Sequence, residues 1–258
     1  LWHMNCVSAR LVAKFPNFPI AFDISTDGTI VRGITTKMEA DKRPGYIIVD
    51  RDGKRFTNED FKRHSMYYEV ACFDAHRLVY PRVPCFWIMD RRRIEIDYLI
   101  RVSSGAAGPY GPYKWSRDNS AELKKGWIIS ANSIRELARK LNLPSDNLEK
   151  TVNAYNRYCI KGKDPVFGRR AESLIPLEMP PFFAVTLWPG GPNTQGGPKR
   201  NARCQVLNVN GDPISGLYSA GEMGSMFGML YPGGGSNLAE CLAMGRVAGE
   251  CAAHTRSK

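Results

Sequence analysis

Gly216-Leu-Tyr-Ser-Ala-Gly-Glu222-Met-Gly224, followed closely by Tyr231-Pro-Gly233-Gly-Gly235-Ser-Asn237-Leu-Ala-Glu-Cys-Leu-Ala-Met-Gly245-Arg, is the stretch on which the fold turns. It reads as a short strand, a tight glycine turn, a loop, and a helix opening on small residues. Such a helix start offers unpaired backbone N-H groups and the positive end of a dipole to an electron-rich ligand that must come very close. The alternative is a Gly-rich turn packed tightly against a sheet, and spacing alone does not separate the two.

Upstream of this stretch, Pro181-Phe-Phe-Ala-Val-Thr-Leu187 predicts a strand, a Pro/Gly loop runs to 198, and Cys204-Gln-Val-Leu-Asn-Val-Asn210-Gly211 predicts a strand and hairpin turn. Residues 45–58 combine a β-branched run, an Asp52-Gly53 turn and a short returning segment, which predicts a hairpin. Ser133-Ile-Arg-Glu136 has the spacing of a capping box, so a short helix is expected from there to about Asn142-Leu-Pro144. A second helix is expected over about 146–161, with Leu148, Val152, Tyr155 and Tyr158 on one face and Gly162 as its stop. Residues 104–120, rich in Gly, Ser, Pro and Tyr, read as a loop or lid. Hairpins, a helix pair and a final strand-turn-helix argue for α+β organisation, and no internal repeat is visible.

Composition narrows the class. With 258 residues and 43% hydrophobic content, the chain can bury a substantial core as one large domain or two modest ones. It contains no run of about 18 apolar residues, and Leu1-Trp-His-Met-Asn-Cys has neither a basic n-region nor an apolar h-region. A net charge of +11 points to an anionic partner. Nucleic acid is disfavoured, because the only dense basic cluster, Arg91-Arg-Arg93, is flanked by Asp90 and Glu95 and no nucleic-acid motif accompanies it. Seven widely spaced cysteines without a Cys-x-x-Cys pair, and four histidines none at ligand spacing from a cysteine, predict no disulfide framework and no structural metal. Most of the thiols are expected to be small core hydrophobes.

The two glycine-rich segments together resemble the C-terminal flavin-binding signature of the family of fumarate reductases, succinate dehydrogenase flavoproteins and 3-ketosteroid dehydrogenases. The resemblance implies FAD as cofactor. It implies that Gly221 and Glu222 meet the ribityl chain and that Gly235, Ser236, Asn237 and Leu238 face the pyrimidine edge, where backbone amides stabilise charge on the reduced ring. The segment Ile48-Val-Asp-Arg-Asp-Gly-Lys-Arg55-Phe-Thr-Asn-Glu59 also resembles the substrate-capping domain of that family. There an arginine eight positions beyond the Lys-Arg arginine donates a proton, which corresponds to Arg63. The relay glutamate corresponds to Glu39, sixteen positions before Arg55, and the relay cation to Lys42 or, with a one-residue shift, Arg43.

The chemistry accounts for this grouping. When flavin N5 delivers hydride to one carbon of an activated C=C bond, the neighbouring carbon takes a proton, and a buried donor must be recharged from water. Free arginine holds its proton above about pH 12, so adjacent charges must assist. The same residues also admit a surface ion pair of Glu39 with Lys42 or Arg43 and an exposed Arg63. The chain would then be a non-catalytic cap or interaction module with no bound flavin.

Fumarate reductases clamp a dicarboxylate with two histidines and an arginine. The corresponding positions here fall near Thr26, on Asn193, and around Tyr231-Pro232, so a dicarboxylate substrate is not expected. The ketosteroid dehydrogenase branch matches better. A tyrosine fourteen residues before the helix glycine, with a backbone amide four residues beyond it, holds a substrate ketone in that branch, and Tyr231 and Gly235 reproduce the spacing to Gly245. A phenol and an N-H directed at one carbonyl oxygen would stabilise an enolate. Tyr-Pro-Gly is also ordinary turn chemistry, which leaves simple packing of Tyr231 open.

No Gly-x-Gly-x-x-Gly turn follows a strand, although the family binds the adenosine diphosphate half of FAD with one. By resemblance, the chain is expected to be the C-terminal part of a larger flavoprotein lacking its N-terminal dinucleotide-binding segment. The expected organisation is an α+β substrate-capping domain over 21–193, inserted in a Rossmann-like FAD-binding domain represented by 1–20 and 194–258. A small molecule with an activated C=C bond is the expected substrate. The resemblance does not name the electron donor, and the cytoplasm is the favoured compartment.

Overall fold

The computed structural model describes residues 45–59, 69–70, 72–96, 99, 116–187, 196–224, 226–227 and 235–255. They fall in two compact units, divided between Pro192 and Asn193.

The first unit is built on a four-stranded antiparallel sheet. Its strands are β1 (Tyr46–Val49), β2 (Cys85–Asp90), β3 (Ile128–Ala131) and β4 (Phe182–Leu187), in the order β1-β2-β4-β3. Register runs Tyr46 against Met89 and Val49 against Phe86 on one side of β2, and Cys85 against Leu187 through Asp90 against Phe182 on the other. Every residue of β1 and β2 is buried, since both faces of the sheet are covered. Tyr46, Ile48, Trp87, Met89, Phe183 and Val185 pack on one face, and Ile47, Val49, Phe86, Ile88, Phe182 and Ala184 on the other. Two-sided burial also explains why these strands are continuous apolar runs instead of alternating ones.

Short helices α1 (Arg91–Ile96) and α2 (Ser120–Lys124) lie between β2 and β3 in the chain. The pair α3 (Ile134–Lys140) and α4 (Ser145–Lys161) covers the second sheet face through Leu137, Ala138, Leu148, Val152 and Tyr155. The Ser133 half of the capping box forms, Ser133 Oγ accepting from Glu136 N at 3.1 Å, while the Glu136 carboxylate reaches one residue further back and accepts from Asn132 N at 2.9 Å. Gly162 ends α4 at φ 63°, as the sequence predicted. Tyr158 is only half-buried, at the margin of the face that carries Leu148, Val152 and Tyr155.

The expected hairpin over 45–58 is corrected. Its turn is present, with Asp50 Oδ1 accepting from Asp52 N and Lys54 N at 2.9 Å each. The return is a single bridge between Val49 and Arg55, and the antiparallel partner of β1 is β2. From that bridge the Arg55 side chain reaches buried carboxylates: Nε and Nη2 grip Glu59 at 2.8 and 2.7 Å, and Nη2 reaches Asp164 at 2.9 Å. Arg169 completes the cluster, donating to Glu59 at 3.3 Å and to the Tyr46 carbonyl at 2.7 Å. Two cations and two carboxylates therefore satisfy one another inside the unit.

The three arginines of the basic cluster are dispersed in the same way. Arg92 pairs with Asp90 at 2.6 Å, Arg91 with Glu95 at 3.4 Å, and Arg93 is buried beside the Trp87 ring. The cysteine expectation is corrected too. Of the six described cysteines only Cys85 and Cys204 are buried, whereas Cys72 and Cys241 are exposed and Cys159 and Cys251 half-buried.

The second unit contains β5 (Gln205–Leu207), β6 (Pro213–Tyr218) and the 20-residue helix α5 (Ser236–Thr255). β5 and β6 form the predicted hairpin, with Asn208 Oδ1 accepting from Asn210 N and Asp212 N at 2.9 Å each. β6 runs into the Gly221–Gly224 turn. No helix among the described residues is long and apolar enough to cross a membrane.

Candidate functional site

The end of β6 and the start of α5 meet through glycine. Gly221 sits at φ 67°, and a Cβ there would lie 2.7 Å from Cys241 Sγ, so only glycine lets the strand end this close to the helix. Beyond it, the chain pairs with a separate strand segment: Gly196 N donates to the Glu222 carbonyl at 3.2 Å, and Gly224 N donates to the Gly196 carbonyl at 3.0 Å. The Gly-Gly pair at 196–197 permits this contact, because a Cβ on Gly197 would fall 2.8 Å from Gly224 N.

Glu222 is thereby aimed at the helix. Asn237 Nδ2 donates to Glu222 Oε1 at 2.6 Å, joining the two sequence segments that were expected to act together. Asn237 is buried, Glu222 half-buried and Leu238 exposed. The helix opens with Ala239 N donating to the Gly235 carbonyl at 2.9 Å. The backbone N-H groups ahead of that bond belong to the first turn, which has no acceptors within the helix and carries the positive end of its dipole. Gly235, at φ 88°, has no heavy atom within 4 Å of the position a Cβ would take.

Beneath this junction lies a second polar contact that sequence reasoning missed. Arg200 Nη2 donates to Glu240 Oε1 at 2.5 Å, and Nη1 donates to the carbonyls of Ser219 and Met223 at 2.9 and 3.2 Å. Glu240 Oε1 also accepts from Met226 N at 2.6 Å. The two side chains are 5% and 0% exposed. One signal for Glu240 was available: a lone carboxylate inside the apolar stretch Leu238-Ala-Glu240-Cys-Leu. Arg200 had none, being one cation among 36.

Of the residues singled out in the sequence, Gly221, Glu222, Gly235, Ser236, Asn237 and Leu238 come together here. Arg63, Glu39, Lys42, Arg43, Tyr231 and Asn193 lie outside the described residues. Met223 and Met226, beside this junction, are 63% and 60% exposed.

The arrangement fits a flavin. It combines an uncluttered glycine beside a helix start, first-turn amides that favour negative charge, and a carboxylate already oriented by an amide.

Comparison with known proteins agrees. Residues 28–238 match the FAD binding domain family. The chain is 29% identical over 223 residues to 4-oxocyclohexanecarboxylate 2-dehydrogenase of Sinomonas cyclohexanicum, covering 80% of this chain and 36% of that protein. It is 31% identical over 212 residues to NADH:fumarate oxidoreductase of Klebsiella pneumoniae strain 342, covering 81% and 20%. Among solved structures it resembles 3-ketosteroid delta1-dehydrogenase from Sterolibacterium denitrificans in complex with 1,4-androstadiene-3,17-dione, with a TM-score of 0.64, 26% identity, and 83% of this chain and 40% of that one covered. The chain thus spans well under half the length of each of these relatives. With a family match over most of its length, the chain belongs to the FAD binding domain family of flavoprotein oxidoreductases, and FAD is the cofactor this membership indicates.

Proposed function

We propose that the protein is an FAD-dependent oxidoreductase of CH-CH bonds whose substrate is an alkene conjugated to a carbonyl, or the saturated product of that alkene. The observation that carries this reading is the Asn237 to Glu222 bond at the first turn of α5, which unites both halves of the flavin signature. Bound FAD supplies the two-electron chemistry at one carbon of the substrate bond.

The chain's own residues supply the rest. Asn237 fixes the Glu222 carboxylate so that it can accept hydrogen bonds from ribityl hydroxyls. The amides of Ser236 to Leu238, at the positive end of α5, stabilise negative charge on the cofactor's pyrimidine edge. Arg63 holds a proton for the carbon next to the one that exchanges hydride, and Glu39 with Lys42 or Arg43 replaces it from water. Tyr231, through its phenol, and Gly235, through its N-H, bind the carbonyl oxygen and stabilise the developing enolate. A cyclic ketone fits the residues at hand better than a dicarboxylate does, because Thr26, Asn193 and Tyr231-Pro232 supply no cations to pair with two carboxylates. The names of the Sinomonas and Sterolibacterium relatives support the same class. In this reading residues 21–193 form the substrate-capping domain, and 1–20 with 194–258 belong to the FAD-binding domain.

The test uses the full-length protein, loaded with FAD, reduced anaerobically and then offered a cyclic enone or fumarate. The enone is expected to restore the absorbance of oxidised flavin and fumarate to leave it bleached. Arg63→Ala should retain FAD and lose about a hundredfold or more in this step. Faster reoxidation by fumarate would contradict the substrate class, and an unchanged rate in Arg63→Ala would contradict the proton donor.

A further inference from the structure

We propose that Arg200 and Glu240 are positioning residues for FAD, setting Glu222–Gly224 and Met226 against α5; the inference rests on the reading of Glu222 and Asn237 as cofactor-binding. The argument begins with what α5 buries. Among its 20 residues only Asn237 and Glu240 are buried, and both are polar. They stand three residues apart, so they share one face of the helix. Asn237 takes Glu222, and Glu240 takes Arg200 together with the Met226 amide.

Apolar packing does little of this work. β6 is exposed along most of its length, and Leu238 and Leu242 are 66% and 70% exposed. Directional bonds therefore decide where the loop lies relative to the helix. Arg200 serves this role because a guanidinium can meet several acceptors in a fixed fork. It takes the carbonyls of Ser219, at the end of β6, and Met223, within the loop, along with the carboxylate of Glu240. Met226 N closes the loop's far end onto the same carboxylate oxygen. Glu222 lies between these fixed points, so its approach to Asn237 follows from the pair beneath it. Buried ion pairs are weak sources of stability but well suited to fixing one geometry among several.

The pair is neutral as a unit, which yields a test that separates positioning from mere support of the fold. Glu240→Gln leaves the guanidinium uncompensated beneath the flavin site and should raise the reduction potential of bound FAD, because negative charge on the reduced ring is favoured. Arg200→Met leaves the carboxylate and should lower it. General loosening of the fold would not produce opposite signs from the two halves of one pair.

Binding is measured in the same full-length protein by quenching of FAD fluorescence, with apoprotein thermal midpoints alongside. The double variant Arg200→Met with Glu240→Met removes both charges, keeps apolar volume and is expected to fold. It should bind FAD about tenfold more weakly or worse, a factor equivalent to about 1.4 kcal/mol. Unchanged FAD affinity in the folded double variant, or potentials that shift in one direction in both single variants, would overturn the inference. Wild-type protein that takes up no FAD would overturn this inference and the cofactor reading together, whereas wild-type uptake with unaffected variants would overturn this inference alone.

Discussion

Arg55 and Asp164, 109 residues apart in the chain, meet at 2.9 Å with both side chains almost wholly removed from solvent. Burial alone would push the Asp164 carboxyl up. The Arg55 guanidinium and the amides of Phe167 and Val166 outweigh it, and the carboxyl sits below its ordinary range. A carboxyl lowered by folding adds stability above its unfolded value, about 3.9, and loses that contribution as pH falls through the folded value. Thermal midpoints of the wild type should therefore fall below about pH 4. Asp164→Asn should unfold at lower temperature near pH 7, by about 3 kcal/mol for a broken buried pair, and should show a shallower acid slope. Equal slopes in the two proteins would contradict the assignment.

Gly53 offers a steric test of how the first unit closes. It holds φ 74°, and an added Cβ would lie 3.0 Å from Leu148 N. Asn147 and Thr151 of the same helix donate to the carbonyls of Asp52 and Gly53 at 3.0 and 2.7 Å, so the turn cannot easily withdraw. Gly53→Ala is expected to cost more than about 1 kcal/mol in urea unfolding, with the denaturant slope unchanged.

Ser133 tests the cap read from the sequence. Its hydroxyl accepts from Glu136 N, and no comparable side chain caps the start of α4, where Pro144 stands. Ser133→Ala should lower stability by about 1 kcal/mol, and Ser133→Asp should restore most of it. Chemical denaturation of the three proteins provides the check.

Gly221 offers a steric test of the proposed cofactor site. Gly221→Ala must move Cys241 or the end of β6, since the new Cβ would lie 2.7 Å from Cys241 Sγ at an unfavourable φ. FAD affinity should fall by about tenfold or more, while the acid slope set by Asp164 in the other unit stays unchanged. Fluorescence titration and thermal midpoints together make the comparison.

Local signals in the sequence located α3, α4, β4, β5 and the strand-turn-helix at the end, because caps, glycine stops and apolar runs act over a few residues. β2 and β3 left no comparable mark. Cys85-Phe-Trp-Ile-Met-Asp90 is a short apolar run directly after the Pro81–Pro84 turn, and its pairing with Tyr46–Val49 is a long-range choice made by the sheet. The hairpin at 45–58 failed for a related reason. Its Asp-Gly turn was real, but pairing stops at the single Val49–Arg55 bridge and β1 takes the distant β2 as its ladder partner. In the site, glycines and Glu222 stood out in the sequence because their spacing is local. Arg200 did not, because its meaning depends on Glu240, 40 residues away.

The central claim is that FAD is held where Glu222 meets Asn237. It is tested most directly by titrating apoprotein with FAD and following flavin fluorescence in the full-length wild type and in Asn237→Ala, each first shown to be folded. The account predicts saturable quenching in the wild type and at least about tenfold weaker binding in the variant. Equal affinity in the two proteins would contradict it.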